Sequence, residues 1–208
     1  MRADAARNRQ TILDCARRLY SVQGLDVPMD AVARTAGVGV GTVYRHFPDR
    51  TALVRAVVAD RLDRVSALLA AAGPGLAGDE PEHAWDTFFD GLLDSGLPML
   101  MPLLVPHARD ADIFTPELAE IRRRVIQTAV GVVSTAQRLG LLRADIGTPE
   151  IMLMFAAAMR AIPGLPTELN EALLLRRGPL LRAALRPGGT PLPGRRIDLA
   201  DLEPLLGA

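Results

Sequence analysis

A chain of 208 residues, 49% hydrophobic and 23% charged, has room for one or two domains and holds too much apolar material to stay disordered. Its longest apolar runs fall far short of the roughly 20 residues of a membrane span, and its single cysteine, Cys15, excludes an internal disulfide and suits a reducing cytosol. The formal net charge is zero, but residues 1–64 carry 11 Arg against 7 Asp while the remainder carries 13 Arg against 17 acids, the asymmetry expected of a basic nucleic-acid-binding head on an acidic body.

Residues 1–6 read as a frayed arm, and MRADAARNRQ has no apolar core that would make it a signal peptide. A helix over 7–23 puts Ile12, Leu13, Ala16, Leu19 and Tyr20 on one side, and Gly24 ends it. Cys15 belongs to this helix, either as a small half-buried residue or in a redox role. Arg7 and Arg9 stand at its start, against the preference of the helix dipole for anions. They are either a solvated end or a contact to a phosphate or the minor groove.

The stretch 29–50, MDAVARTAGVGVGTVYRHFPDR, organises the rest of the chain. A helix over 30–36 turns Val32 and Ala33 inward. Gly37 follows where a helix commonly ends in a left-handed residue. Val38 and Gly39 make the corner, and a second helix runs over 40–47 until Pro48 stops it. Val43 and Phe47 lie four apart and pack inward. Thr42, Tyr44, Arg45 and His46 remain on the outer side, an arrangement that suits a major groove. This is a helix-turn-helix signal. Tyr44 and His46 can each donate to a phosphate, and Thr42 is placed for a base or a thymine methyl. Arg45 reads either a guanine or a phosphate. Gly41 either permits close backbone approach to the duplex or serves only the corner.

Asp49 is an N-cap for a helix over 50–72 whose apolar stripe is Leu53, Val57, Val58, Leu62, Val65 and Leu69. That helix is long enough to leave the head. GPGLAGDEPEH then breaks the pattern, placing a linker at 73–82. A helix over 83–95 gathers Trp85, Phe88, Phe89, Leu92 and Leu93. The segment 97–107, LPMLMPLLVPH, is interrupted by Pro98, Pro102 and Pro106, so helical fragments or a kinked segment are expected in place of a regular helix. Thr115, Pro116 and Glu117 start a helix that runs to 139, closed by Gly140. Thr148, Pro149 and Glu150 repeat that start before IMLMFAAAMRAI, which Pro163, Gly164 and Pro166 end. A last helix over 168–185 is expected to kink at Gly178 and Pro179. The tail, 187–208, is rich in Pro and Gly and reads as partly ordered, with a short turn near 199–206.

One helix-turn-helix grips too little DNA for tight specific binding, so a homodimer on a two-fold site is expected. The helices near 148–162 and 168–186 are the candidate interface, since IMLMFAAAM is apolar all round and its alanines allow close approach. The alternative is an ordinary buried core helix. Trp85, Phe88, Phe89, Met99, Met101, His107, Phe114 and Met154 are the candidate lining of an adaptable apolar pocket for a small hydrophobic ligand, with His107 as a polar handle. The same residues at helical spacing also read as plain core. His46, His83 and His107 lack ligand spacing for a metal. Nor does any phosphate-cradling loop, serine elbow or HExxH motif argue for an enzyme or a cofactor.

The segment AGVGVGTVYRHFPDRTALV, preceded by NRQTILDCARRLYSVQG, resembles the TetR family of bacterial transcriptional regulators over roughly residues 7–60. The resemblance implies an all-α fold. Residues 1–50 would be a three-helix DNA-binding head, helix 50–72 a link, and 73–208 a larger ligand-binding and dimerisation body. It further implies that Arg50 takes the place of the family's phosphate-clamping Lys, and that the last two helices pair across a dimer as a four-helix bundle. The expected function is a cytoplasmic repressor that binds a palindromic operator in double-stranded DNA and is released by a small apolar ligand. Gly39 and Val40 stand where the family often has Ser and a Lys or other polar residue, which removes possible phosphate or base contacts. Those departures motivate the alternative, a helical protein-interaction or ligand-binding module with vestigial DNA binding.

Overall fold

Helix ends in this chain are set by a few residues whose chemistry admits little choice. In the computed structural model, which describes residues 2–104, 107, 110, 112–160, 162 and 164–206, every regular element is a helix. Helices α1 (Arg2–Gln23), α2 (Met29–Ala36) and α3 (Val40–His46) form the N-terminal head. Gly37 closes α2 at φ 67°, a left-handed conformation only glycine adopts cheaply. Ile12, Leu13, Ala16, Tyr20, Val32, Ala33, Val43 and Phe47 are buried together as the head's core. Helix α1 starts five residues earlier than its apolar periodicity predicts.

Helix α4 (Arg50–Leu76) opens on Asp49, whose carboxylate accepts the Ala52 N–H at 2.7 Å. At 27 residues it spans about 40 Å, from the head to the far side of the body. It continues through Pro74, so only residues 77–80 separate it from α5 (Pro81–Ser95), and the linker expected at 73–82 is mostly helix. Burial explains the extension. Ala72 and Leu76 are core residues, and Gly75 lies so close to Ala84 that a Cβ there would meet the Ala84 methyl at 2.8 Å.

The proline-interrupted segment is also a correction. Residues Leu97–Leu104 form one helix, α6. Pro98 falls in its first turn, where the missing N–H had no partner, so Pro102 alone removes a bond. Leu97, Leu100 and Leu104 are buried and hold the helix in place. Pro106 lies outside the described residues.

Helix α7 (Pro116–Arg138) begins at the Thr115 cap as expected. For α8 (Thr148–Ala158) the cap is Gly147 and not Thr148, which is buried. The Glu150 carboxylate accepts the Gly147 N–H at 2.6 Å. A Cβ at Gly147 would lie 1.8 Å from the Ile197 carbonyl oxygen, so the tail has claimed the space a capping side chain needs. Helix α9 (Thr167–Leu185) runs through Gly178 and Pro179 as a single helix. The tail is pinned. Arg143 donates to Asp145 and to the Thr190 carbonyl, Asp145 accepts the Leu192 N–H at 2.8 Å, and Arg196 donates to the Ala144 carbonyl. It ends in α10 (Leu199–Leu206), which packs on α8.

In the body α4 lies between α5 and α7, and α6 packs on α8. The head's α1 touches both α4 and α6.

Candidate nucleic-acid interface and apolar cavity

Helix α3 is held by two inward side chains, Val43 and Phe47, which leave its other face to solvent. Tyr44 is 49% exposed and Arg45 is exposed; Thr42 and His46 are half-buried at the edges of that face. Arg45 folds back along its own helix. Its Nε donates to the Gly41 carbonyl at 3.2 Å and an Nη donates to the Thr42 hydroxyl at 3.1 Å. A base contact by Arg45 would exchange this exposed, charge-assisted hydrogen bond to Thr42 for contacts to the duplex. A Cβ at Gly41 would meet nothing within 4 Å, so no packing within the chain demands glycine there.

Asp26, not singled out in the sequence, and Arg9, which was, both shape this face. Asp26, in the turn before α2, pairs with Arg50 at 2.9 Å. Arg9 of α1 sits 5.4 Å from the centre of the Phe47 ring, over the end of α3. Both contacts join segments distant in the chain, so neither leaves a mark in local periodicity.

The body encloses an apolar cavity of about 80 Å³. Its walls come from six helices, chiefly Val65 and Leu69 of α4, Trp85, Phe88 and Phe89 of α5, Val125 and Ile126 of α7, and Ile151, Met152 and Phe155 of α8, with Leu97 of α6 and Leu185 of α9 completing them. The Phe89 and Phe155 rings meet edge to face at 5.0 Å.

Of the eight expected lining residues, Trp85, Phe88 and Phe89 face this space. Phe114 is buried elsewhere, beneath the Arg122 guanidinium at 4.3 Å. Met154 points outward from α8 and is 42% exposed, because it is Met152 and Phe155 that share the inner face. His107 is exposed, with Nδ1 3.8 Å from the Asp110 carboxylate, and so gives the cavity no polar handle. The Met99 and Met101 side chains lie outside the described residues. Val125 and Ile126 were not singled out in the sequence, and Met152 was read only within IMLMFAAAM as candidate interface or ordinary core helix, because spacing reveals which face is buried but not whether that face is completely filled.

Among the described residues no three His, Cys, Asp or Glu side chains gather to hold a metal, and no helix is long and apolar enough to cross a membrane.

Residues 12–57 match the family model described as bacterial regulatory proteins, tetR family. An HTH-type transcriptional regulator of Staphylococcus aureus (strain USA300) is 41% identical over 64 residues, covering 30% of this chain and 35% of that protein. The matched stretch thus spans about a third of such curated relatives. The TetR transcriptional regulator SCO0520 from Streptomyces coelicolor is 26% identical with a TM-score of 0.53, over 87% of this chain and 99% of that one. The TetR-like regulator LfrR from Mycobacterium smegmatis, solved in complex with proflavine, is 23% identical with a TM-score of 0.53, over 90% and 99% of the two chains.

Proposed function

Since this chain belongs to the TetR family and is a helix-turn-helix transcriptional regulator, we propose that it is a ligand-released repressor, bound to a palindromic operator as a homodimer. Residues 1–50 act as the DNA-binding head, α4 as the link, and 73–208 as the ligand-binding and dimerisation body. Tyr44, His46 and Arg50 bind phosphates and Thr42 meets a base edge or thymine methyl. Arg45 swings from Thr42 onto a guanine or a phosphate, while Gly41 lets the backbone approach the duplex.

The observation that carries this reading is that one helix serves both ends. Val65 and Leu69 of α4 form part of the cavity wall, while Arg50 and Leu53 of the same helix lie at the head. At about 80 Å³ the cavity is well below the roughly 300–1,000 Å³ of ordinary ligand sites. A ligand must therefore select a wider body, and it shifts the equilibrium only by its preference for that state. Widening displaces α4 and changes the spacing of two recognition helices that must fall about one DNA turn apart. The lining calls for an apolar ligand. LfrR, which shares the fold, is solved with proflavine, and this supports a small molecule in the body. Exposed Leu153 and Met154 on α8, with Leu169, Leu175 and Leu180 on α9, support pairing of these helices across the dimer.

The test is binding of the full chain to DNA upstream of its own gene against random DNA of equal length, at several salt concentrations, with mass measured by sedimentation. Selective binding of a dimer is expected. Equal affinity and equal salt slope for both DNAs would overturn the reading in favour of a module with vestigial DNA binding.

A further inference from the structure

Arg61 lies in the middle of α4 and is 2% exposed, the largest fully buried side chain described. One Nη donates to the Ser95 carbonyl at 3.1 Å, and the other donates to Asp14 Oδ1 at 2.9 Å. Asp60 also pairs with it. Ser95 ends α5 in the body and Asp14 belongs to α1 in the head. A single guanidinium therefore ties three helices together where head and body meet.

Both partners are held in place. The Ser95 hydroxyl donates to the Leu92 carbonyl and accepts the Leu97 N–H, fixing the α5–α6 corner. Gly96 completes that corner at φ 72°, and Arg17, one turn beyond Asp14, lies against it so closely that a Cβ at Gly96 would be 2.8 Å from the guanidinium. Arg64 adds a longer contact to Asp60, at 3.4 Å.

A buried charge of this kind contributes little net stability compared with a well-packed apolar side chain, and its better use is to specify one geometry over others. An apolar side chain would slide against α1, whereas a fork with two fixed acceptors does not. Arg61, Val65 and Leu69 are spaced at four residues and share one face of α4, so the helix face that touches the cavity also carries the fork.

We propose that Arg61 is the positioning residue of the DNA-binding head: bridging Asp14 and the Ser95 carbonyl, it fixes the angle at which α3 is presented. The proposal rests on the DNA-binding reading above. Displacement of α4 at Val65 and Leu69 carries the fork away from one acceptor, and the head is then free to tilt.

The test uses the full chain with Cys15→Ala and spin labels at Val40→Cys on α3 and Gln127→Cys on α7, diluted with unlabelled chain so that distances within one chain are read. Because the Asp14 side chain is 38% exposed, Asp14→Asn leaves a chain that still folds. It is expected to broaden the head-to-body distance distribution at least twofold and to weaken binding to DNA upstream of its own gene at least tenfold. Asp14→Glu restores both in part, which a loss of packing alone would not allow. Arg61→Lys, which cannot reach both acceptors, behaves like Asp14→Asn. An unchanged distribution in both Asp14→Asn and Arg61→Lys overturns the proposal, as does weakened DNA binding without broadening. A broadened distribution in a chain whose unsubstituted form does not prefer its upstream DNA upholds the role of Arg61 and overturns the DNA reading instead.

Discussion

Arg50 and Asp26 give the sharpest test of the proposed DNA-binding face, because a phosphate role for Arg50 gives their substitutions opposite effects. Their side chains pair at 2.9 Å with 51% and 91% exposure, so breaking the pair costs less than about 1 kcal/mol of stability. In the proposed complex with DNA, a phosphate would compete with Asp26 for the same guanidinium. Each phosphate neutralised adds about 0.9 to the slope of log affinity against log salt. Taking 1 M salt as the point where that contribution vanishes, one contact is worth about fivefold at 0.15 M, and two symmetric heads about thirtyfold. Arg50→Ala is therefore expected to weaken operator binding by about thirtyfold at 0.15 M salt and to flatten the slope by about 1.8. Asp26→Asn frees Arg50 and strengthens binding. Fluorescence anisotropy of a labelled operator at four or five salt concentrations measures both quantities, with thermal melts as the check on folding. An unchanged slope in Arg50→Ala, or weaker binding in Asp26→Asn, refutes the phosphate role.

Gly41 has open space around its missing Cβ, so Gly41→Ala should raise stability by about 0.5–1 kcal/mol in urea unfolding. It should also weaken operator binding if the backbone approaches the duplex; equal affinity removes Gly41 from the interface. Phe155, buried beside the cavity and against Phe89, should cost about 3–5 kcal/mol when replaced by Ala, and a loss below about 1 kcal/mol in the same assay would show the body to be loosely packed there. The tail should detach in acid. The Arg143 guanidinium and the Leu192 N–H hold the Asp145 carboxyl well below the usual carboxylate range, and Arg195 with the Asp198 N–H brings Asp201 down to about 2. Depressed values mean that the contacts are at full strength above the ordinary carboxylate pKa of about 3.9 and fail as pH falls through the folded ones. The Leu192 and Asp198 amide resonances should thus stay fixed above about pH 4, with Asp198 moving as pH falls to about 2 and Leu192 moving at lower pH than Asp198; movement near neutrality contradicts that docking.

The head was legible in the sequence because its signals are local. Gly37 needs a left-handed backbone, Asp49 caps α4, and the four-residue spacing of Val43 and Phe47 fixes which side of α3 faces water. Backbone sterics and hydrogen bonding over a few residues settle such features, so the order of the helices and the exposed face carrying Tyr44 and Arg45 followed from the chain alone. Where tertiary packing competed with local preference, packing prevailed. Leu76 carried α4 through Pro74, Leu100 and Leu104 kept α6 helical across Pro102, and the Ile197 carbonyl occupied the space at Gly147.

The cavity lining, the Asp26–Arg50 pair and the Arg61 fork depended on distances between helices far apart in the chain. Met152 and Met154 are indistinguishable by composition, and only the packing of α8 against α6 and α7, with Phe155 against Phe89 of α5, turned one inward and the other to the surface. Periodicity determined which residues share a face. What that face meets, and whether it meets it fully, was decided by the long-range fit of one helix against the next.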